Sequence, residues 1–337
     1  MSRRVLRPAS APLFAQPVRP MPARAAVIVC TRNRPDALRK TLGSIARHAG
    51  MDALAILVVD GSDAAAQQQN AAALARLPQA RHLPFNGPPS AARQRNAGLR
   101  RLPEDAAVVF FCDDDITLHP HAFRHLADAL RDDPARGGVG AFEHAPDDRP
   151  NAPGRPGPWR SLFLLDHPRP GRVLASGHVS LYNTPAVRAA ERPVAVQWLS
   201  TCCCAYRREA IDGMAFNEAL EGALLEDRDF SYRVGERWTL AAVPSAQFVH
   251  HQSPINRRSV AQYAYARTIQ RRWFVAQHSP PVVGPVAFWW SVVGELLARL
   301  TSRRPHRSAS LRGLLRGVRD VLTRSHPLLL SALPRSA

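Results

Sequence analysis

The strongest constraint on this chain is the run Val108-Val109-Phe110-Phe111-Cys112 and the three carboxylates that end it, Asp113-Asp114-Asp115. An unbroken apolar run of this length reads as a parallel strand buried on both faces. The acidic triplet then falls at the strand's C-terminal end, the edge at which ligands bind in open α/β sheets. Adjacent carboxylates repel one another, so the cluster asks for a cation. A few oxygen ligands suit Mg²⁺ or Mn²⁺, with phosphate oxygens completing the shell. In an extended chain Asp113 and Asp115 point to one side and Asp114 to the other. Alone, the triplet would serve as well for the cap of a following helix, so the surrounding segments matter.

Two further apolar runs end in polar groups. Ala25-Ala26-Val27-Ile28-Val29-Cys30 leads into Thr31-Arg32-Asn33-Arg34, and Leu54-Ala55-Ile56-Leu57-Val58-Val59 into Asp60-Gly61-Ser62. Leu38, Leu42 and Ile45 follow the first at helical spacing after Pro35-Asp36, and an Ala/Gln-rich helix to about Leu77 follows the second. Residues 81–85 read as a short strand, and Pro88-Pro89-Ser90 opens a helix through Arg93-Gln94-Arg95-Asn96. This alternation predicts an α/β fold, with a doubly wound, mostly parallel sheet over residues 25–130. No G-x-G-x-x-G follows the first strand and no G-x-x-x-x-G-K-[ST] occurs, which excludes a dinucleotide Rossmann site and a P-loop.

Further on, residues 143–176 are rich in Pro, Gly and Arg and read as a long loop or lid. Strand-like composition returns over 194–206, and 207–211 begin a short helix. Glu226-Asp227-Arg228-Asp229 opens another helix after a loop containing Gly222. Residues 240–243 and 248–249 read as short strands before His250-His251, and 256–279 as a basic, aromatic helix.

In that order, these pieces resemble the inverting GT-A glycosyltransferases of family 2. The matching elements are Val27 to Arg34, Val58-Val59-Asp60-Gly61-Ser62, Ala92 to Gly98, the aspartate triplet, Glu226 to Phe230, and His250. The resemblance implies a GT-A domain over 25–255, preceded by a disordered basic segment, 1–24, and followed by a helical region, 256–337. It implies a nucleotide-sugar donor held by Thr31, Arg32 and Asp60, with Arg93 or Arg95 at the base or diphosphate. Asp113 and Asp114 would lie at the ribose or metal, and Asp115, Asp113 and His250 would bind Mn²⁺ or Mg²⁺, with His251 as the alternate histidine. Asp227 would be the catalytic base, with Glu226 as the fallback. Backbone N–H groups at a helix start, with Arg228 beside them, predict an ionised Asp227 at neutral pH.

Charge bears on partners. The chain has 45 basic and 27 acidic residues among 337, a formal charge of +18, and Lys40 is the only lysine. Such a surface attracts nucleotide phosphates, anionic lipids or nucleic acid. No helix-turn-helix, RRM or zinc module is present, so nucleic acid is not expected. The five cysteines lack zinc spacing and fit a reducing cytosol. Prolines and arginines interrupt any signal-peptide core near the N-terminus. Residues 282–300 are apolar but hold Pro285 and Glu295, and the following 303–325 are basic with leucines at helical spacing. That pattern fits a region lying on an anionic membrane surface, with a helix packed on the core as the other reading. The resulting expectation is a cytoplasmic transferase at the inner membrane face, acting on a glycan or lipid-linked glycan of the cell envelope. The alternative is a catalytically inactive GT-A-like module that binds membrane or polyanions through the basic tail.

Overall fold

The computed structural model describes residues 25–47, 54–144, 157–220, 224–255, 257–302 and 305–330. The expected disordered segment 1–24, positions 145–156 of the expected lid, the loop at Gly222 and tail positions 303 and 304 lie outside the described residues.

The N-terminal half alternates as β1 (Ala25–Thr31), α1 (Pro35–Ala46), β2 (Leu54–Asp60), α2 (Ala64–Leu74), β3 (Ala80–Pro84), α3 (Ala91–Leu99) and β4 (Val108–Asp113). Next come β5 (Ile116–Leu118), α4 (Ala122–Arg131), β6 (Arg136–His144) and the short helices α5 (Pro158–Leu162) and α6 (Pro185–Arg188). They lead to β7 (Val194–Val196), β8 (Cys203–Arg207), α7 (Glu226–Gly235) and β9 (Thr239–His250). Four helices close the chain: α8 (Val260–His278), α9 (Val283–Thr301), α10 (Arg307–Leu322) and α11 (Pro327–Leu330).

The sheet order is β3-β2-β1-β4-β8-β6-β9-β5, with β7 also on β9. From β3 to β4 every pairing is parallel, as the apolar runs imply. The register sets Thr31 opposite Asp60 and Cys30 opposite Asp113, so three strand ends finish level along one edge. Beyond β4 the sheet is mixed: β8 runs antiparallel to β4 and β6, whereas β6 and β9 are parallel. This half was hard to read in the sequence because β6 is glycine-rich. A Cβ on Gly138 would lie 2.7 Å from the Tyr206 ring, so the glycine is needed to admit that ring. The expected strand over 194–206 is two strands separated by a turn, and 207–211 hold only a 3₁₀ turn at Arg208–Ala210. The two short strands expected over 240–249 are one strand, β9, with a register shift opposite Ala141 and Phe142. That strand carries His250 to a position opposite Ile116, beside Asp115.

Alternate residues of the central strands feed two cores. Val27, Val29, Ile56, Val58 and Phe110 face α1 and α4, where Phe110 stacks on Phe123 at 4.4 Å. Ile28, Leu57, Val59, Val109 and Phe111 face the other layer, where Phe111 meets Phe216 edge-on at 5.3 Å. A third cluster joins Leu225, before α7, to Phe274, Phe288, Val292 and Val321 of α8, α9 and α10. The α7 start is thus packed from both sides. Phe111→Ala is expected to lower the unfolding free energy by about 3–5 kcal/mol in urea denaturation; an unchanged midpoint would contradict this packing.

Candidate active site

The level strand ends bring the first set of expected residues together. Arg32 is exposed at the edge, whereas Thr31 is buried and its hydroxyl donates to Asp114 Oδ2 at 2.6 Å. Asp60 is fully buried. Its oxygens accept from the Ser62 N–H at 3.0 Å and Asn70 Nδ2 at 2.9 Å, and His82 Nε2 lies 2.9 Å away. Burial alone would raise its pKa, but these partners hold it below the usual carboxylate range. Asn33, in the left-handed region at φ 53°, donates its N–H to Ser62 Oγ at 2.8 Å and so joins the β1 and β2 ends.

The aspartate triplet is not one extended run: β4 ends at Asp113, Asp114 and Asp115 lie in the turn that follows, and Arg34 Nη1 reaches both of them. Asp114 turns inward to Thr31 and to Arg34 Nη1 at 3.0 Å; burial pushes its pKa up to about 6 against those partners. On the other side, Asp115 Oδ1 lies 3.0 Å from His250 Nε2, and Asp115 Oδ2 accepts the Ser253 N–H at 2.8 Å. One ligand atom each from Asp113, His250 and Cys202 fall within 4.8 Å of one another. His251 turns instead to Thr117 Oγ1 at 2.7 Å on the exposed side.

These donors fit the implied cation. Burial would raise Asp115 and lower His250, yet each shifts the opposite way, because the two are hydrogen-bonded to each other and His250 has further carboxylates beside it. Carboxylate oxygens and an imidazole nitrogen suit Mn²⁺ well. Burial and the charge of Asp113 keep the Cys202 thiol protonated, its pKa well above the ordinary value. Sequence reasoning assigned no role to Arg34 or Cys202. Arg34, in the same loop as Arg32, also comes within 3.6 Å of Asp115 and was detectable there; nothing local marked Cys202.

On the neighbouring wall, α3 settles which arginine is internal. Arg93 pairs with Glu218 at 3.1 Å, half-exposed. Arg95 is buried, donates to Glu226 Oε1 at 2.8 Å and lies 3.5 Å from Asp113 Oδ1. Burial would lower its pKa, but these two carboxylates raise it. Asp227 makes no such pair; Oδ1 accepts only the N–H of Arg228, at 2.7 Å. The expectation of an ionised Asp227 at neutral pH is corrected here. Burial, then the charge of Glu226, outweigh Arg228, Arg95 and the helix start, and push it up to about 7. The site therefore gathers carboxylates and His250 around Asp113 on one side and places the buried Glu226, with Asp227 next to it, on the other. Arg95 reaches both.

A family profile described as Glycosyl transferase family 2 matches residues 26–213, more than half of the chain. No curated protein matches by sequence. The mannosyltransferase PcManGT from Pyrobaculum calidifontis, solved with GDP-Man and Mn²⁺, superposes with a TM-score of 0.52 at 17% identity, covering 95% of this chain and 90% of that one. S. aureus TarS 1-349 in complex with UDP-GlcNAc gives 14% identity and a TM-score of 0.53, covering 92% and 82%. GalNAc-T7 with UDP, GalNAc and Mn²⁺ gives a TM-score of 0.53 at 14% identity, covering 81% of this chain but only 55% of that one. At these identities the likeness concerns the fold. The profile match turns the resemblance read from the sequence into membership: the chain belongs to glycosyl transferase family 2 and has its GT-A fold.

Proposed function

We propose that the protein is an inverting, metal-dependent glycosyltransferase that moves a sugar from a nucleotide-sugar donor to a hydroxyl of an envelope glycan or lipid-linked glycan. The observation that carries this reading is a cation-type donor set with one carboxylate poised near pH 7, Asp227, whose neighbour Glu226 is joined to Asp113 through Arg95. Structural neighbours solved with GDP-Man and Mn²⁺ and with UDP-GlcNAc support the donor class. The inactive-module reading is less favoured, because the acidic positions are intact and Asp227 has the protonation behaviour of a base.

In the proposed reaction the nucleoside lies along the edge formed by Thr31, Arg32 and Asp60, with Asp114 bracing that edge from behind. A divalent ion held by Asp113, Asp115 and His250 would neutralise the leaving diphosphate. Arg95 adds fixed positive charge there, and Arg93 lies further out. Asp227 accepts the acceptor's hydroxyl proton as its oxygen attacks the anomeric carbon. The new C–O bond forms on the face opposite the breaking one, and the electron pair leaves on the nucleoside diphosphate. One displacement inverts the configuration. Glu226, already bonded to Arg95, is the weaker base candidate.

The division at about residue 255, between transferase domain and helical region, is part of this reading, and α9 supplies the reason for a membrane site. Its Val283, Val286, Trp290, Val293, Leu297 and Leu300 are each at least 44% exposed and recur every three or four residues. They form one apolar stripe facing outward. The charges of α9 lie inside: Glu295 meets Arg271 at 3.0 Å and Arg299 at 3.5 Å. By length and composition α9 could cross a membrane, but spanning would carry this ion network into lipid. Lying in the interface leaves it intact. Exposed Arg312, Arg316 and Arg319 on α10 add attraction of about 1 kcal/mol each to an anionic surface.

Three outcomes are expected. Nucleoside diphosphate with Mn²⁺ should raise the Tm of the native protein but not of Asp115→Ala, tested across UDP, GDP and dTDP; full transfer by that variant, or in excess chelator, would remove the metal. Turnover should rise with pH through about 7, because a raised carboxylate becomes a base only as it deprotonates. Asp227→Asn should flatten that rise and lower turnover by about 10²–10⁴-fold; near-native turnover would place the base elsewhere. Finally, Val286→Glu with Val293→Glu should abolish sedimentation with phosphatidylglycerol vesicles. Undiminished sedimentation, or dissociation of a native dimer by the same changes, would rule out the membrane surface.

A further inference from the structure

Beside Asp227 lies a group of cations that the transfer step leaves unused. Arg228 follows Asp227 in α7, and α8 brings Arg267 and Arg271 close, with His178 between those two. Arg271 is fully buried and balanced: Nη1 donates to Glu295 Oε1 at 3.0 Å and Nη2 to Ser291 Oγ at 3.1 Å. Glu295 is further engaged by Arg299. Among the described residues, neither Arg228 nor Arg267 forms an ion pair. Arg228 stands over the Trp198 ring at 5.1 Å, and its buried Nε has no hydrogen-bond partner.

Arg267 relies on His178. Its Nη2 lies 3.0 Å from His178 Nδ1, while Arg271 Nη1 faces His178 Nε2. Burial and the surrounding arginines hold His178 well below the usual histidine range, so the imidazole is neutral. A neutral imidazole has one lone pair for hydrogen bonding: with Nδ1 accepting from Arg267, its Nε2–H faces Glu295 Oε1 at 3.4 Å as well as the Arg271 guanidinium. Around His178, four arginines (Arg228, Arg267, Arg271 and Arg299) face two carboxylates, Asp227 and Glu295, so the cluster holds more guanidinium donors than acceptors and more positive charge than it balances. Partly desolvated cations in this state are costly unless an anion joins them.

We propose that Arg228 and Arg267 form a subsite for a phosphoryl group on the acceptor, adjacent to the hydroxyl that Asp227 deprotonates. Two guanidiniums outside any ion pair among the described residues match a phosphate dianion better than a carboxylate, and their forked donors suit its oxygens. Arg228 and Arg267 are each only partly buried, so a solute can reach both. The acceptor role rests on Asp227 being the base, whereas anion binding by the cluster does not.

The test is titration of the full chain with inorganic phosphate in the presence of chelator, so that no metal-bound phosphate contributes. It is followed by the arginine Nε–H signals in the native protein and by calorimetry in variants. Saturable binding should shift the Arg228 signal, weaken at least tenfold in Arg267→Gln and recover partly in Arg267→Lys. Competition from phosphatidic acid vesicles would make a lipid headgroup the source. Phosphate binding without that competition would point to a soluble phosphorylated glycan, and either result supports the subsite. Absence of saturable binding, an unmoved Arg228 signal, or equal affinity in Arg267→Gln overturns it. Failure of the transferase reading would show separately, as loss of metal-dependent diphosphate binding with phosphate binding retained.

Discussion

The site depends on one buried guanidinium. Arg95 lies between Glu226 and Asp113, and a cation taken out of water at this depth costs several kcal/mol unless carboxylates meet it. That requirement ties α3 to the start of α7, 131 residues further along the chain. The residues on either side act likewise. Gln94 donates to the carbonyls of Thr31 and Val59, joining the β1 and β2 ends, and Asn96 bonds both backbone groups of Phe216. Three consecutive side chains of one short helix thus hold the donor edge, the aspartate triplet and the α7 carboxylates in one frame.

Within that frame, burial and neighbouring charge push carboxylates of one chemical type apart. Asp115 faces His250 and a backbone N–H and is kept ionised; Asp227 faces Glu226 in a drier setting and is held near neutrality. Such a separation is what the proposed roles require, Asp115 as ligand and Asp227 as proton acceptor. The C-terminal helices contribute from outside. Their apolar contacts with Leu225 brace the α7 start, and the same helices carry the arginines of α8 and the bare stripe of α9.

The parallel half of the sheet was legible because buried strands are continuous apolar runs and their ends are polar. The aspartate triplet, Asp60 and the acidic run of α7 could be found for that reason. The other half was not, because β6 keeps glycines where Tyr206 needs room, and β5 is only three residues long. Cys202 enters the site through the turn before β8, antiparallel to β4, a pairing that no local pattern announces.

By itself, the sequence determined which residues could carry charge to one sheet edge, since strand periodicity and termini are local properties. It also determined the order of the family's motifs. Only the tertiary structure decided that Arg95 and not Arg93 is internal, that His250 and not His251 lies beside Asp115, and that burial works against charge on Asp227. Each of these turns on what lies across space from a side chain. For Asp227 the helix start and Arg228, both visible locally, favour the charged form, whereas burial and the Glu226 carboxylate held beside it by Arg95 disfavour it and prevail.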